Sequence, residues 1–142
     1  MNVELQRVNQ AVHFEGGGAS SAVKVHIDGS PDIGGEGAGV RPMELVLMAL
    51  GSCSALDLIS ILKKQRQQIT DMRILVEGKR KDAVPAVFTD IHLSFRLTGD
   101  IDREKANKAA ELAVKKYCSV HDMLAAGGVN ITYEVQVTTG QD

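Results

Sequence analysis

No tryptophan occurs among the 142 residues, and three phenylalanines and two tyrosines are the whole aromatic content. Few rings are therefore available to stack on bases. Charge of one sign is also missing: 16 Lys+Arg stand against 18 Asp+Glu, a formal net charge of −2, so no protein-wide positive field draws in a phosphate backbone. Both absences argue against a nucleic-acid partner. Cysteine is scarce, with only Cys53 and Cys118, too few for a small secreted scaffold held by several disulfides. The first ten residues lack a continuous apolar stretch and alternate instead, which reads as a strand and not as an export signal. A cytoplasmic location is expected, with one domain spanning residues 1–142 and enough apolar residues, 44%, to build a core.

Hydrophobic periodicity orders the chain. Val3 and Leu5, then Val23, Val25 and Ile27, alternate with polar neighbours on either side of a break at Gly16-Gly17-Gly18, which predicts a small antiparallel meander. Residues 28–41, DGSPDIGGEGAGVR, form the longest irregular stretch and the expected mobile loop. Pro42 suits the first position of a helix that runs to Arg66 and is apolar on nearly every side, the signature of a buried helix. Ser52, Ser54, Asp57 and Ser60 interrupt its apolar run and argue against a membrane span. At ~1.5 Å per residue the helix is about 35 Å long, more than one small domain readily covers, and a homodimer packing two such helices together would cover it. Met72–Arg80 and Val87–Thr98 read as a hairpin turning near Asp82–Pro85. Asp102 can cap a second helix with an apolar face of Ala106, Ala109, Ala110, Ala113 and Tyr117, which re-turns near Cys118 and ends at Gly127-Gly128. Val129, Ile131, Tyr133, Val135 and Val137 complete the pattern as a last strand. The fold class is α+β, antiparallel sheets wrapped around two helices, one long and central.

The glycine-rich loop is a poor phosphate cradle. It lacks the G-x-G-x-x-G spacing and a following Gly-Lys-Ser/Thr, and Glu36 brings a negative charge where a phosphate would sit. The cysteines are more informative. The segment RPMELVLMALGSCSA, residues 41–55, places a proline eleven residues before a helix-borne cysteine, and KYCSV, residues 116–120, places a second cysteine at the foot of the next helix. Together these motifs resemble those of the OsmC/Ohr family of hydroperoxide-reducing proteins, and PMELVLMALGSCSALDLISILKK with KYCSV is most similar to its YhfA-like branch. The resemblance implies an intertwined homodimer with two sites at the subunit interface and no cofactor. It further implies that Cys53 is the thiolate attacking a small organic hydroperoxide, that Cys118 resolves the resulting sulfenic acid as a disulfide, and that an external dithiol reduces it.

In hydroperoxide-reducing members a glutamate directly follows the proline, and a loop arginine helps to position the thiolate. Here Met43 follows Pro42, Glu44 comes one residue later, and Arg41 is the only arginine between Asp28 and Pro42. Arg41 and Glu44 are the candidates for activating the thiolate; Met43, Asp57 and His121 are candidates for the pocket. Cys53 lies about three turns into its helix, beyond the reach of the helix dipole, and Asp57 at i+4 would disfavour a Cys53 thiolate. These residues leave open a second reading, a non-catalytic protein that binds a small apolar ligand. Cys118-x-x-His121 is also half of a zinc site, with no second closely spaced pair to complete it.

Overall fold

The computed structural model describes residues 1–140. It comprises two compact units, Met1–Val46 and a second from Leu47 onward.

In the first unit, β1 (Val3–Arg7), β2 (Phe14–Gly18) and β3 (Val25–Ile27) form an antiparallel sheet in the order β1-β2-β3. The three glycines expected to break the chain are instead the end of β2, with Gly16 opposite Leu5 and Gly18 opposite Val3. A side chain at Gly16 would put its Cβ 2.6 Å from Leu5 Cδ2, so the strand is glycine-rich because its neighbour occupies that space. Val23 falls outside β3.

The expected mobile loop is tied down. Buried Asp28 accepts hydrogen bonds from the backbone N–H groups of Gly29 (2.8 Å), Glu36 (2.9 Å) and Ala38 (3.0 Å). Val40 exchanges backbone hydrogen bonds with His26 and Asp28, at 3.0 Å each. The glycines serve this winding: a Cβ on Gly39 would lie 2.4 Å from the His26 carbonyl carbon. The Asp28 carboxyl is held below its ordinary range, chiefly by the Ala38 and Glu36 N–H groups, against the opposing effect of burial.

Helix α1 (Pro42–Lys64) begins in the first unit and runs through the second. It is 23 residues long, with mean hydropathy 2.1 over its most apolar 18-residue window, long and apolar enough to cross a membrane by length and composition. The expectation of burial all round is met on one side: Leu50, Ser54, Ala55, Leu58 and Leu62 are buried, whereas Met48, Leu56 and Ile59 are exposed. Gly51 lets α1 approach the sheet, since a Cβ there would lie 2.9 Å from Val76 Cγ2.

Beyond α1, β4 (Gln68–Arg80) and β5 (Phe88–Asp100) form the expected antiparallel hairpin. Helix α2 (Arg103–Glu111) starts where predicted, with Asp102 accepting from the Lys105 N–H at 2.9 Å. A π-helical segment, Leu112–Tyr117, then leads to α3 (Ser119–Ala126) and β6 (Asn130–Thr138). The sheet order is β4-β5-β6, and β6 pairs parallel to β5, so this second sheet is mixed. The reason is the connection: the helical segments between β5 and β6 form a crossover that returns the chain to run in the same direction. Because β5 is central, Ile91, Leu93, Phe95 and Leu97 are all at most 1% exposed. Ala106, Ala109, Ala110 and Ala113 give α2 and the π-helical segment a smooth buried face, and α2 contacts β6. Tyr117, assigned from the sequence to that face, is half-exposed, because the wider π turn departs from the 3.6-residue spacing on which the assignment depended.

Candidate functional site

Within the second unit the fold brings together two cysteines that are 65 residues apart in the chain. Cys53 is half-buried on α1, and Cys118 is 1% exposed at the start of α3. No disulfide joins them, and Cys53 lies close enough to act on the Cys118 sulfur. Cys118 is placed by the helix break. The π-helical segment stops at its extended backbone (φ −73°, ψ 107°), and α3 starts there with the cysteine as N-cap, its sulfur accepting the His121 N–H at 3.3 Å. Serine, threonine or aspartate usually fills that role, satisfying one of the free N–H groups of the first turn.

Burial pushes the Cys118 thiol up from its ordinary value. The Ser54 hydroxyl and the His121 N–H work against burial by favouring the thiolate, while Cys53 reinforces the rise. Ser54 was not singled out from the sequence as a site residue. It is fully buried, and its hydroxyl has no hydrogen-bond partner among the described residues. A polar residue directly after the helical cysteine, on an otherwise apolar helix face, is the signal that marks it.

Cys53, Asp57, Ile61 and Lys64 recur at intervals of four, four and three residues, so they lie along one side of α1. Beyond Cys53 this side borders a cleft of about 400 Å³ whose lining includes Asp57, Ile61, Lys64, Leu112 and Tyr117. Asp57 lines this cleft. His121 meets Cys118 through its backbone, while its ring Nδ1 lies 3.3 Å from Asp122 Oδ1.

Arg41, Met43 and Glu44 belong to the first unit. Glu44 Oε1 accepts the Arg41 N–H at 3.2 Å, the reach-back half of a capping box, so this carboxylate has a structural task at the start of α1. Arg41 is exposed and its charge is felt by Asp32, whose carboxyl lies below its ordinary range chiefly through a Ser30 hydrogen bond. Met43 is half-buried.

Residues 35–134 match the family model described as OsmC-like protein. The chain belongs to the OsmC family. Among its relatives, Escherichia coli K12 protein YhfA is 44% identical over 97 residues, covering 68% of this chain and 72% of YhfA, which supports the YhfA-like branch within OsmC. A hypothetical protein from Aquifex aeolicus VF5 superposes with a TM-score of 0.79 at 31% identity, over 96% of both chains. An OsmC-like protein from Mycoplasma pneumoniae shares the OsmC fold at only 14% identity, with a TM-score of 0.80 over 96% of both chains. An OsmC-type fold that brings two free cysteines close together is consistent with cysteine-based redox chemistry.

Proposed function

We propose that this chain is a cysteine-based peroxidase acting on small organic hydroperoxides. The observation that carries the reading is the Cys53/Cys118 pair, one cysteine half-buried on α1 one turn before a cleft residue, Asp57, and the other buried close to it. In this reading the Cys53 thiolate attacks the distal peroxide oxygen, the O–O bond breaks, and the alkoxide leaves as the alcohol once protonated. Cys53 becomes a sulfenic acid. The Cys118 sulfur then attacks it, water departs, and a Cys53–Cys118 disulfide remains for an external dithiol to reduce. No cofactor takes part.

We further propose that residues 1–142 act as one OsmC-like domain in a cytoplasmic homodimer, with no membrane partner. The support is the exposed stripe of Met48, Ser52, Leu56 and Ile59 on α1, apolar apart from one small serine, which a second copy would cover. Arg41 remains the proposed thiolate-activating residue. Glu44 is a weaker one because its carboxylate already caps α1.

Peroxide consumption tests the reading. Cys53→Ser should abolish it, whereas Cys118→Ser should retain a single turnover and form no intramolecular disulfide. Wild type that consumes no organic hydroperoxide and forms no disulfide overturns the proposal. A second reading, a binding protein without turnover, is favoured by Asp57 one turn from Cys53 and by the capping role of Glu44. A stoichiometric apolar ligand retained on purification, with both thiols slow towards peroxide, would select it.

A further inference from the structure

The first unit holds a pair of imidazoles to which the peroxide chemistry above assigns no task. His13 Nε2 and His26 Nδ1 lie 2.9 Å apart, with ring centroids separated by 5.1 Å and ring planes tilted by 49°. The backbone fixes both residues. The Asn9 side chain accepts the His13 N–H at 3.1 Å, and the His13 carbonyl accepts the Val8 N–H at 3.0 Å. His26 belongs to β3, and its carbonyl accepts the Val40 N–H at 3.0 Å. Strand register explains how the rings meet. His26 stands opposite Glu15, and His13 lies two residues before Glu15, so alternation puts all three side chains on one face of the sheet. His26 is exposed, and His13 and Glu15 are half-buried.

We propose that His13 and His26 are the protein ligands of a divalent transition-metal site of the Cu(II) or Ni(II) type. At metal–imidazole bonds of about 2.0–2.1 Å, two nitrogens at a right angle lie about 2.9 Å apart, whereas two at a tetrahedral angle lie about 3.3 Å apart. The observed 2.9 Å fits the right angle, which is the tetragonal geometry of Cu(II) and Ni(II) with nitrogen and oxygen ligands. Binding needs a lone pair from each of the two facing nitrogens. The hydrogen that bridges the rings is given up to water, and the other nitrogen of the same ring takes one back, so both imidazoles stay neutral and no net proton is released. The rings, which meet head-on in the hydrogen bond, turn so that both nitrogens face the metal. Among the described residues no set of three or more His, Cys, Asp or Glu side chains is gathered around a common point, so two imidazoles are the protein's contribution and water fills the remaining positions. Glu15 adds a negative charge on the same face. A metal held here fastens β3 to the residue that precedes β2 and so clasps the sheet of the first unit. It is independent of the cysteine pair and of the peroxidase reading.

Isothermal titration calorimetry of the untagged protein with Ni²⁺ at neutral pH tests the site. One Ni²⁺ should bind per chain, and either His13→Ala or His26→Ala should weaken binding tenfold or more, because the remaining imidazole has lost its chelating partner. His92→Ala should bind as wild type does. Ni²⁺ should also raise the melting temperature of wild type and leave that of both weakened variants unchanged, since a ligand of the folded state alone is stabilising. A measurement on wild type guards against variants that fold poorly: substoichiometric Ni²⁺ should perturb the imidazole resonances of His13 and His26 in nuclear magnetic resonance spectra before those of His92. Wild type that takes up no Ni²⁺, either variant binding as tightly as wild type, or His92 responding first overturns the inference.

Discussion

Leu56 separates the stability of one chain from the association of two. It lies on the free side of α1 with 71% of its surface exposed, in a stripe with Met48 at 49% and Ile59 at 40%. Leu56→Asp therefore removes little packing within a chain, while helix propensity costs it only about 0.5 kcal/mol. Association is another matter. Full burial of a leucine side chain contributes about 1.5–3 kcal/mol, so covering the exposed 71% would contribute about 1–2 kcal/mol per protomer. In a twofold interface the residue counts twice, about 2–4 kcal/mol, which corresponds to a roughly 30- to 1,000-fold rise in the dimer dissociation constant. Desolvating two carboxylates adds to that. Sedimentation equilibrium over a range of concentrations measures it directly, and circular dichroism checks that the variant keeps its helices. Wild type that stays monomeric at high concentration, or a variant that associates as tightly as wild type, refutes the assignment of this face to a second copy.

The opposite side of the same helix should behave in the reverse manner. Leu58 is 0% exposed, and Leu58→Ala should destabilise the fold by about 2–5 kcal/mol in denaturant titration; a cost comparable to that of Leu56→Ala would mean the two faces are misassigned. Asp28 provides a pH signature. Its carboxyl is depressed in the folded protein, so its contribution to stability is present above the ordinary carboxylate value near ~4 and is lost as pH falls through the lower folded value. Asp28→Asn should therefore be less stable than wild type at neutral pH and lose less on acidification, and parallel stability profiles for the two proteins would refute this.

Elements whose signal was local could be read in the sequence. The α1 and α2 starts followed from Pro42 and the Asp102 cap, and the hairpin from strict alternation around Ile91 to Leu97. The two cysteines were legible as a pair through their motifs, whereas the burial of Ser54, which lies within the first motif, is visible only in the fold. Tertiary pairing concealed the rest. Gly16–Gly18 carry no strand propensity of their own and become a strand because Leu5 and Val3 lie opposite. The direction of β6 is invisible in its alternation, since a parallel and an antiparallel strand with one covered face have the same period. The loop glycines looked like freedom and proved to be close packing around a single carboxylate, because composition reports what a backbone can do and not what holds it.

The parallel pairing of β5 and β6 also bears on how the chain acquires its shape. Asp90 pairs with Asn130, forty residues on, whereas β4 and β5 join through a short turn. The hairpin can close early at small entropic cost, while the β5–β6 contact must await the crossover, and non-local pairing of this kind is slow. Cys118 rides on that crossover. Topology thus makes its arrival beside Cys53 a late event in folding, and the native cysteine pair is a marker that the last strand has docked.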